Sequence, residues 1–186
     1  MPLEGEVVST VGRLTAIKQH RLFLDVVARA AAERPHLLAL VVGDGELRGE
    51  LEAYAAHLRI ADRVRFLGWR RDLATIYGAT DVFLLTSRNE GTPVALIEAM
   101  ASGVPGVSTD VGGVKDVIPS PALGRLVSSG NAAGLAAAVT ELLADAGLRR
   151  STGERARAHV VRHFGIERLV REIATLYRDL LRQRQD

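Results

Sequence analysis

The chain has 186 residues, 47% of them hydrophobic and 25% charged, a composition that folds and that excludes a chain dominated by disorder. Cysteine is absent, which excludes a disulfide scaffold, a thiolate-ligated metal and thiol catalysis. A balance of 24 basic and 22 acidic side chains, with aromatics at 4%, gives neither the positive field nor the stacking rings expected of a nucleic-acid partner. No apolar run reaches the ~20 residues of a membrane-spanning helix. The opening MPLEGEVVST lacks a basic segment followed by an apolar core, so no secretory leader is visible and the cytoplasm is the expected location.

In chain order, Val7–Val11 reads as a strand and residues 12–19 as the loop leaving it. Leu22, Val26, Val27 and Ala30 mark a helix. The run Leu37–Val42 is continuously apolar, as in a strand buried on both faces of a parallel sheet. Gly43-Asp44-Gly45-Glu46 reads as a tight turn with Asp44 capping a helix marked by Leu47, Leu51, Tyr54, Ala55 and Leu58. A strand at Val64–Leu67, a loop over 68–72, a short helix through Leu73, Ile76 and Tyr77, and a strand at Val82–Leu85 follow. After the loop 86–93 comes a helix through Val94, Ile97 and Ala101, a strand at Val104–Ser108, and a glycine turn into a short helix. Beyond residue 130 the pattern is helical only: an amphipathic stretch around Leu135–Leu143, a basic one over 148–163, and one with a continuous apolar stripe from Ile166 to Leu181. The terminal RQRQD reads as a frayed end.

Strand and helix thus alternate, which predicts an α/β domain with a doubly wound parallel sheet flanked by helices. Such sheets bind ligands at the carboxyl ends of their strands, which directs attention to the loops 12–19, 43–46, 68–72 and 86–93.

On the first of these loops, Gly12 leaves room for a ligand at the backbone, and Arg13 and Lys18 offer a planar fork and a compact cation suited to a diphosphate. Two solvated surface cations are the plainer alternative. Gly43-x-Gly45 is not a dinucleotide fingerprint, because Arg48 stands where the third glycine belongs. On the last loop, Gly91 frees the backbone, Thr92 is placed as an N-cap and Pro93 in the first helical turn, a helix start that presents N–H groups to an anion. Glu90 just outside that start would repel a bare phosphate, but suits sugar hydroxyls beside one. Glu98, among apolar neighbours, would be satisfied by two adjacent ribose hydroxyls. Dipole stabilisation for Glu90 and an exposed or ion-paired position for Glu98 remain open. His159 and His163 are spaced i, i+4 without a third ligand and read as solvated, so no metal site is assigned.

Together VGRLTAIK, LALVVGDGELR, VRFLGW, IYGATDVFLLTS and NEGTPVALIEAMASGVPGVSTDVGGVKDVI resemble the C-terminal, donor-binding domain of retaining group 1 (family 4) glycosyltransferases of GT-B architecture. The resemblance covers roughly residues 6–180 and is most specific at the E-x7-E pair, Glu90 and Glu98. It implies a single Rossmann-like domain over residues 1–186, with the core at about 6–130 and a helical part at about 131–186, and an absent N-terminal acceptor domain. It implies a sugar transferred from a nucleoside-diphosphate sugar, expected to be UDP-linked, to a glycan or lipid-linked acceptor, with no metal or other cofactor required. By position, Arg13 and Lys18 would hold the diphosphate, and Glu90 the transferred sugar. The amides around Gly91, Thr92 and Val94, next to Pro93, would cradle the distal phosphate and sugar. Glu98 would hold the ribose, and backbone near Trp69 and Arg70 would meet the base. The isolated half is expected to bind donor and to transfer little.

Three positions depart from the family pattern: Gln19 where glycine usually follows the loop lysine, Thr92 where an aromatic is frequent, and Val114-Lys115-Asp116 in place of a Pro-Glu pair. An epimerase of the same architecture is the enzymatic alternative. A non-catalytic module using the arginine-rich helices of 148–184 on acidic partners or an anionic membrane is the other. For the glycosyltransferase, peripheral contact with the inner membrane face is a further expectation.

Overall fold

The structure, a computed structural model, describes residues 5–183. The strands β1 (Val7–Val11), β2 (Leu38–Val42), β3 (Val64–Gly68), β4 (Val82–Leu85), β5 (Gly106–Thr109) and β6 (Gly124–Val127) form one sheet in the order β3-β2-β1-β4-β5-β6. Every neighbouring pair is parallel. Between and after them run α1 (His20–Glu33), α2 (Arg48–His57), α3 (Leu73–Gly78), α4 (Val94–Ala101), α5 (Val114–Val117), α6 (Ala132–Ala144), α7 (Ala146–Phe164) and α8 (Ile166–Gln183).

The alternation within β4 shows why the strands are apolar throughout. Val82 and Leu84 pack on one side with residues of α1, α2 and α6, while Phe83 and Leu85 pack on the other with α3, α4, α5 and α7. All four are buried, and full burial of each such side chain contributes about 1.5–3 kcal/mol. The doubly wound, Rossmann-like sheet expected from the alternation is the one formed.

The sixth strand was not expected from the sequence. β6 is an edge strand with only two aliphatic residues, Leu126 and Val127, and its Arg125 lies out against Glu141, 2.8 Å away. Leu126 packs against one apolar cluster and Val127 against the other, each only partly buried, and one aliphatic side chain per face is too weak a signal to mark a strand. Of the frayed end expected at RQRQD, α8 includes Arg182 and Gln183, and residues 184–186 lie outside the described residues.

α8 carries the apolar stripe read from the sequence, and its Ile166, Leu169, Ile173, Leu176 and Leu180 remain between 44% and 65% exposed. Among the described residues no helix is long and apolar enough to cross a membrane.

The chain runs outward from β1 through β2 to β3, then returns to β4 on the other side of β1. The strand order therefore reverses between β1 and β4, and at such a switch point the loops leaving the two strands diverge and open a crevice. Those loops are residues 12–19 and 86–93.

Candidate functional site

The loop after β1 makes a short 3₁₀ turn at Ala16–Lys18 and enters α1 through Gln19, whose backbone is left-handed at φ 49°. The loop after β4 is stitched to it. Arg88 N–H donates to Ile17 O (2.8 Å), and the Thr86 hydroxyl reaches the Lys18 and Gln19 carbonyls (3.1 Å each). Across this seam Lys18 Nζ meets Glu90 Oε1 at 2.6 Å. Ser87, fully buried, donates its hydroxyl to the same oxygen at 2.5 Å. The Glu90 side chain is 8% exposed and that of Lys18 28%, so the pair is largely withdrawn from water yet open at one end.

A third segment fixes Glu90 from behind. Gly113 N–H donates to Glu90 O at 3.0 Å. Gly112 lies in the left-handed region at φ +49°, and a β-carbon there would stand 2.0 Å from Glu90 O. One on Gly113 would stand 2.0 Å from Gly91 O. The Gly112-Gly113 dipeptide thus lets the β5–α5 turn lie directly on the Glu90–Gly91 backbone, an approach no larger residue permits.

Beside Lys18 a cleft of about 470 Å³ includes Gly12, Arg13, Asp44, Trp69, Arg70 and Leu73 in its lining. Gly12 links it to the ion pair: a β-carbon on Gly12 would lie 3.8 Å from Lys18 Cδ, so the lysine stem runs along the glycine. The Arg13 side chain is exposed. Trp69 is 68% exposed, with the Arg71 guanidinium 5.0 Å from its ring centroid. The Arg70 guanidinium is held by Asp72 (2.6 Å). A larger hollow of about 570 Å³ at Glu6, Arg34 and His36 lies by the amino ends of the strands, the end at which open α/β sheets do not bind ligands.

Glu98 is exposed on α4 and takes a hydrogen bond from the Tyr77 hydroxyl at 3.1 Å. Burial, then the Glu98 charge, push the Tyr77 phenol above the usual tyrosine range, so it stays a donor. Tyr77 lies one turn of α3 beyond Leu73, which connects Glu98 to the cleft wall. The expectation that Glu98 sits among apolar neighbours is corrected, because its face of α4 is open.

The helix start also differs from expectation. α4 begins at Val94 with Pro93 in the cap position, and no side chain caps it. Thr92 is exposed and serves through its carbonyl, which takes the Val94 N–H at 2.9 Å. That amide is thereby occupied, while Gly91 faces open space. Asp44 likewise bonds the neighbouring Gly45 N–H (2.8 Å) and not the first turn of α2, which starts at Arg48. His159, read as solvated, is half-buried: its ring stands 4.7 Å from that of His163, its Nε2 has no hydrogen-bond partner, and burial, then the His163 charge, lower its pKa. Among the described residues no group of three or more His, Cys, Asp or Glu is placed to hold a metal ion.

Of the residues singled out from the sequence, Gly12, Lys18 and Glu90 stand in one contiguous group. Arg13, Trp69 and Arg70 line the adjoining cleft, and Glu98 stands beyond Tyr77. Sequence reasoning missed Ser87, Tyr77, Gly112 and Gly113. The spacing of Ser87 three residues before Glu90, and the doubled glycine after β5, were the available signals.

His20 opens α1 directly behind Lys18. It is 3% exposed, its Nδ1 has no hydrogen-bond partner, and burial, then the Lys18 charge, lower its pKa to about 4. The imidazole is neutral at pH 7 and adds no charge to the crevice.

The family described as "Glycosyl transferases group 1" matches residues 2–159. N-acetyl-alpha-D-glucosaminyl L-malate synthase of Bacillus anthracis is 40% identical over 77% of this chain and 38% of its own length. The lipopolysaccharide core biosynthesis glycosyltransferase LpsE of Rhizobium meliloti is 33% identical over 89% of this chain and 48% of its own. The chain therefore spans less than half the length of these two relatives. Among solved structures, HepE of Anabaena in complex with UDP and glucose superposes with a TM-score of 0.88 at 25% identity, covering 94% of this chain and 48% of that one. Sucrose-phosphate synthase of Thermosynechococcus elongatus superposes at 0.86 with 30% identity, over 98% of this chain and 47% of that one. With the GT-B half-fold, the joined loops of the switch point and this match over most of its length, the chain belongs to the group 1 glycosyltransferases.

Proposed function

We propose that this chain is the donor-binding half of a retaining glycosyltransferase that transfers a sugar from a UDP-sugar to a glycan or lipid-linked acceptor. The carrying observation is the junction at the switch point, where Lys18 Nζ and Glu90 Oε1 meet at 2.6 Å between the loops leaving β1 and β4. A cation and a carboxylate held together at that place suit a ligand that is anionic at one end and rich in hydroxyls at the other. The similarity to HepE, whose structure holds UDP and glucose, supports the same reading at the level of ligand class.

In this mechanism Arg13 and Lys18 offset the charge that grows on the diphosphate as the glycosidic bond breaks, the kind of electrostatic stabilisation that lowers such barriers. Glu90 accepts hydrogen bonds from the transferred sugar, and Glu98 from the ribose. The amides near Gly91 and Thr92 approach the distal phosphate, and the backbone at Trp69–Arg70 approaches the base. The chemistry calls for no metal. A partner domain supplies the acceptor site, and the half-enzyme alone transfers little. It works in the cytoplasm, in peripheral contact with the inner membrane face where lipid-linked acceptors lie.

Calorimetric titration of the chain with UDP and UDP-glucose tests this. Binding of UDP is expected, weakened by about 1.5–3 kcal/mol in Arg13→Ala and in Glu98→Ala, the worth of a charge-assisted hydrogen bond. Failure of the folded chain to bind any nucleoside diphosphate would overturn it.

A further inference from the structure

The Glu90 carboxylate is held unevenly. Oε1 receives two donors, Lys18 Nζ at 2.6 Å and the Ser87 hydroxyl at 2.5 Å. Oε2 receives none among the described residues, and it is not among the buried atoms without a partner, so it keeps some access to solvent. The two donors differ in kind. Lys18 sits at the end of a flexible stem, is 28% exposed and carries a charge that any anion entering the crevice competes for. Ser87 is wholly buried and uncharged, and its own backbone is fixed because its carbonyl takes the Thr109 hydroxyl at 2.6 Å. Its neighbour Thr86 holds the carbonyls of Lys18 and Gln19. One donor can be drawn away by a ligand and the other cannot.

We propose that Ser87 is a positioning residue for Glu90, keeping the carboxylate turned with Oε2 toward the ligand when a bound diphosphate draws the Lys18 ammonium away. The proposal rests on the donor-binding function above. Without Ser87, recruitment of Lys18 by the diphosphate would release Glu90 at the moment the sugar needs it. With Ser87, the cation is free to move while the acceptor stays. The consequence is selective: Ser87 matters to the sugar end of the donor and not to the nucleotide end.

The test compares the chain with Ser87→Ala, Glu90→Gln and the double variant, titrated calorimetrically with UDP and with UDP-glucose. Ser87→Ala is expected to weaken UDP-glucose by about tenfold, the order of one hydrogen bond to a charged group, while UDP changes by less than about twofold. The double variant is expected to bind UDP-glucose no more weakly than Glu90→Gln alone, because both changes remove one function. Equal losses for the two ligands, or losses that add in the double variant, would overturn the proposal, since general loosening of the fold produces both. A ligand-free arm separates this outcome from failure of the donor-binding function. The sequence holds two lysines, Lys18 and Lys115, so their ammonium signals can be told apart by nitrogen-15 NMR after one substitution. If the parent chain binds neither nucleotide, the donor-binding function falls. Ser87→Ala must still shift the Lys18 ammonium signal and leave that of Lys115 in place, and an unmoved Lys18 signal would show that Ser87 does not set the geometry of Glu90.

Discussion

Lys18 and Glu90, 72 positions apart in the chain, share an ion pair of 2.6 Å that closes the gap between the two strands flanking the reversal of the sheet. Glu90 is the more enclosed partner, so the pair is asymmetric: removing the lysine strands a buried carboxylate, whereas removing the carboxylate leaves a lysine that can reach water. Lys18→Met is expected to cost about 2 kcal/mol, below the ~3–5 for a fully enclosed pair because Lys18 is 28% exposed. A melting temperature lowered by about 4–8 °C would register it. The double variant Lys18→Met/Glu90→Gln is expected to be more stable than Lys18→Met alone.

His20 predicts a pH dependence. Its folded pKa of about 4 lies below the ordinary 6.5, so between those values the unfolded chain takes up a proton that the folded chain refuses. Stability contributed by this group is therefore complete above about pH 6.5 and is lost as pH falls toward about 4, with a slope approaching about 1.4 kcal/mol per pH unit. Urea unfolding at pH 7.0, 5.5 and 4.5 measures it. Subtracting the same series for His20→Phe isolates the histidine from the carboxylates, and identical slopes in the two chains would refute the assignment.

Gly112→Ala is expected to destabilise the chain by about 1–3 kcal/mol, as overpacking with backbone strain does. The added carbon meets the Glu90 carbonyl and the backbone is left-handed. UDP-glucose affinity should fall with it, since the wall that moves carries Glu90. Gly91→Ala, whose β-carbon meets nothing within 4 Å, should stay within about 0.5 kcal/mol of the parent. Chemical denaturation of both variants decides between a shared and a one-sided constraint.

Gln19 holds φ 49° and buries its Oε1 without a hydrogen-bond partner. Both features are unfavourable for a glutamine and are relieved by glycine, so Gln19→Gly is expected to raise stability by about 0.5–1 kcal/mol despite the greater freedom of glycine in the unfolded chain. Gln19→Ala, which removes the unpartnered amide oxygen but keeps the left-handed strain, should gain less than Gln19→Gly. Thermal melts of the two variants distinguish them.

Much of the fold was legible because the sheet is parallel and covered on both faces. Runs such as Leu37–Val42 and Val82–Leu85 must be apolar at every position, and the helices between them must show one apolar side. β6 escaped because its four residues, GRLV, offer only one aliphatic side chain to each face of the sheet. In the crevice, Lys18 and Glu90 stand on loops that leave predicted strands, and the rule that such loops gather at one edge of a parallel sheet places them near each other. What could not be read was the internal wiring. The hydrogen bond from Ser87 to Glu90, the hydroxyl of Tyr77 on Glu98 and the seating of Gly112-Gly113 depend on which carbonyl faces which turn, and no spacing rule encodes that. The start of α4 was misplaced for a local reason: Pro93 lacks an N–H, and the Thr92 carbonyl, not its side chain, takes the Val94 amide.

The contrast between residue 91 and residues 112–113 sets where this crevice is free to vary. One rim is exposed main chain where an added β-carbon meets no neighbour within 4 Å. The other is main chain pressed on main chain and tolerates nothing. Variation is thereby channelled to a single lip, and a library randomised at position 91 should yield mostly folded proteins where the same library at 112 or 113 yields few that fold.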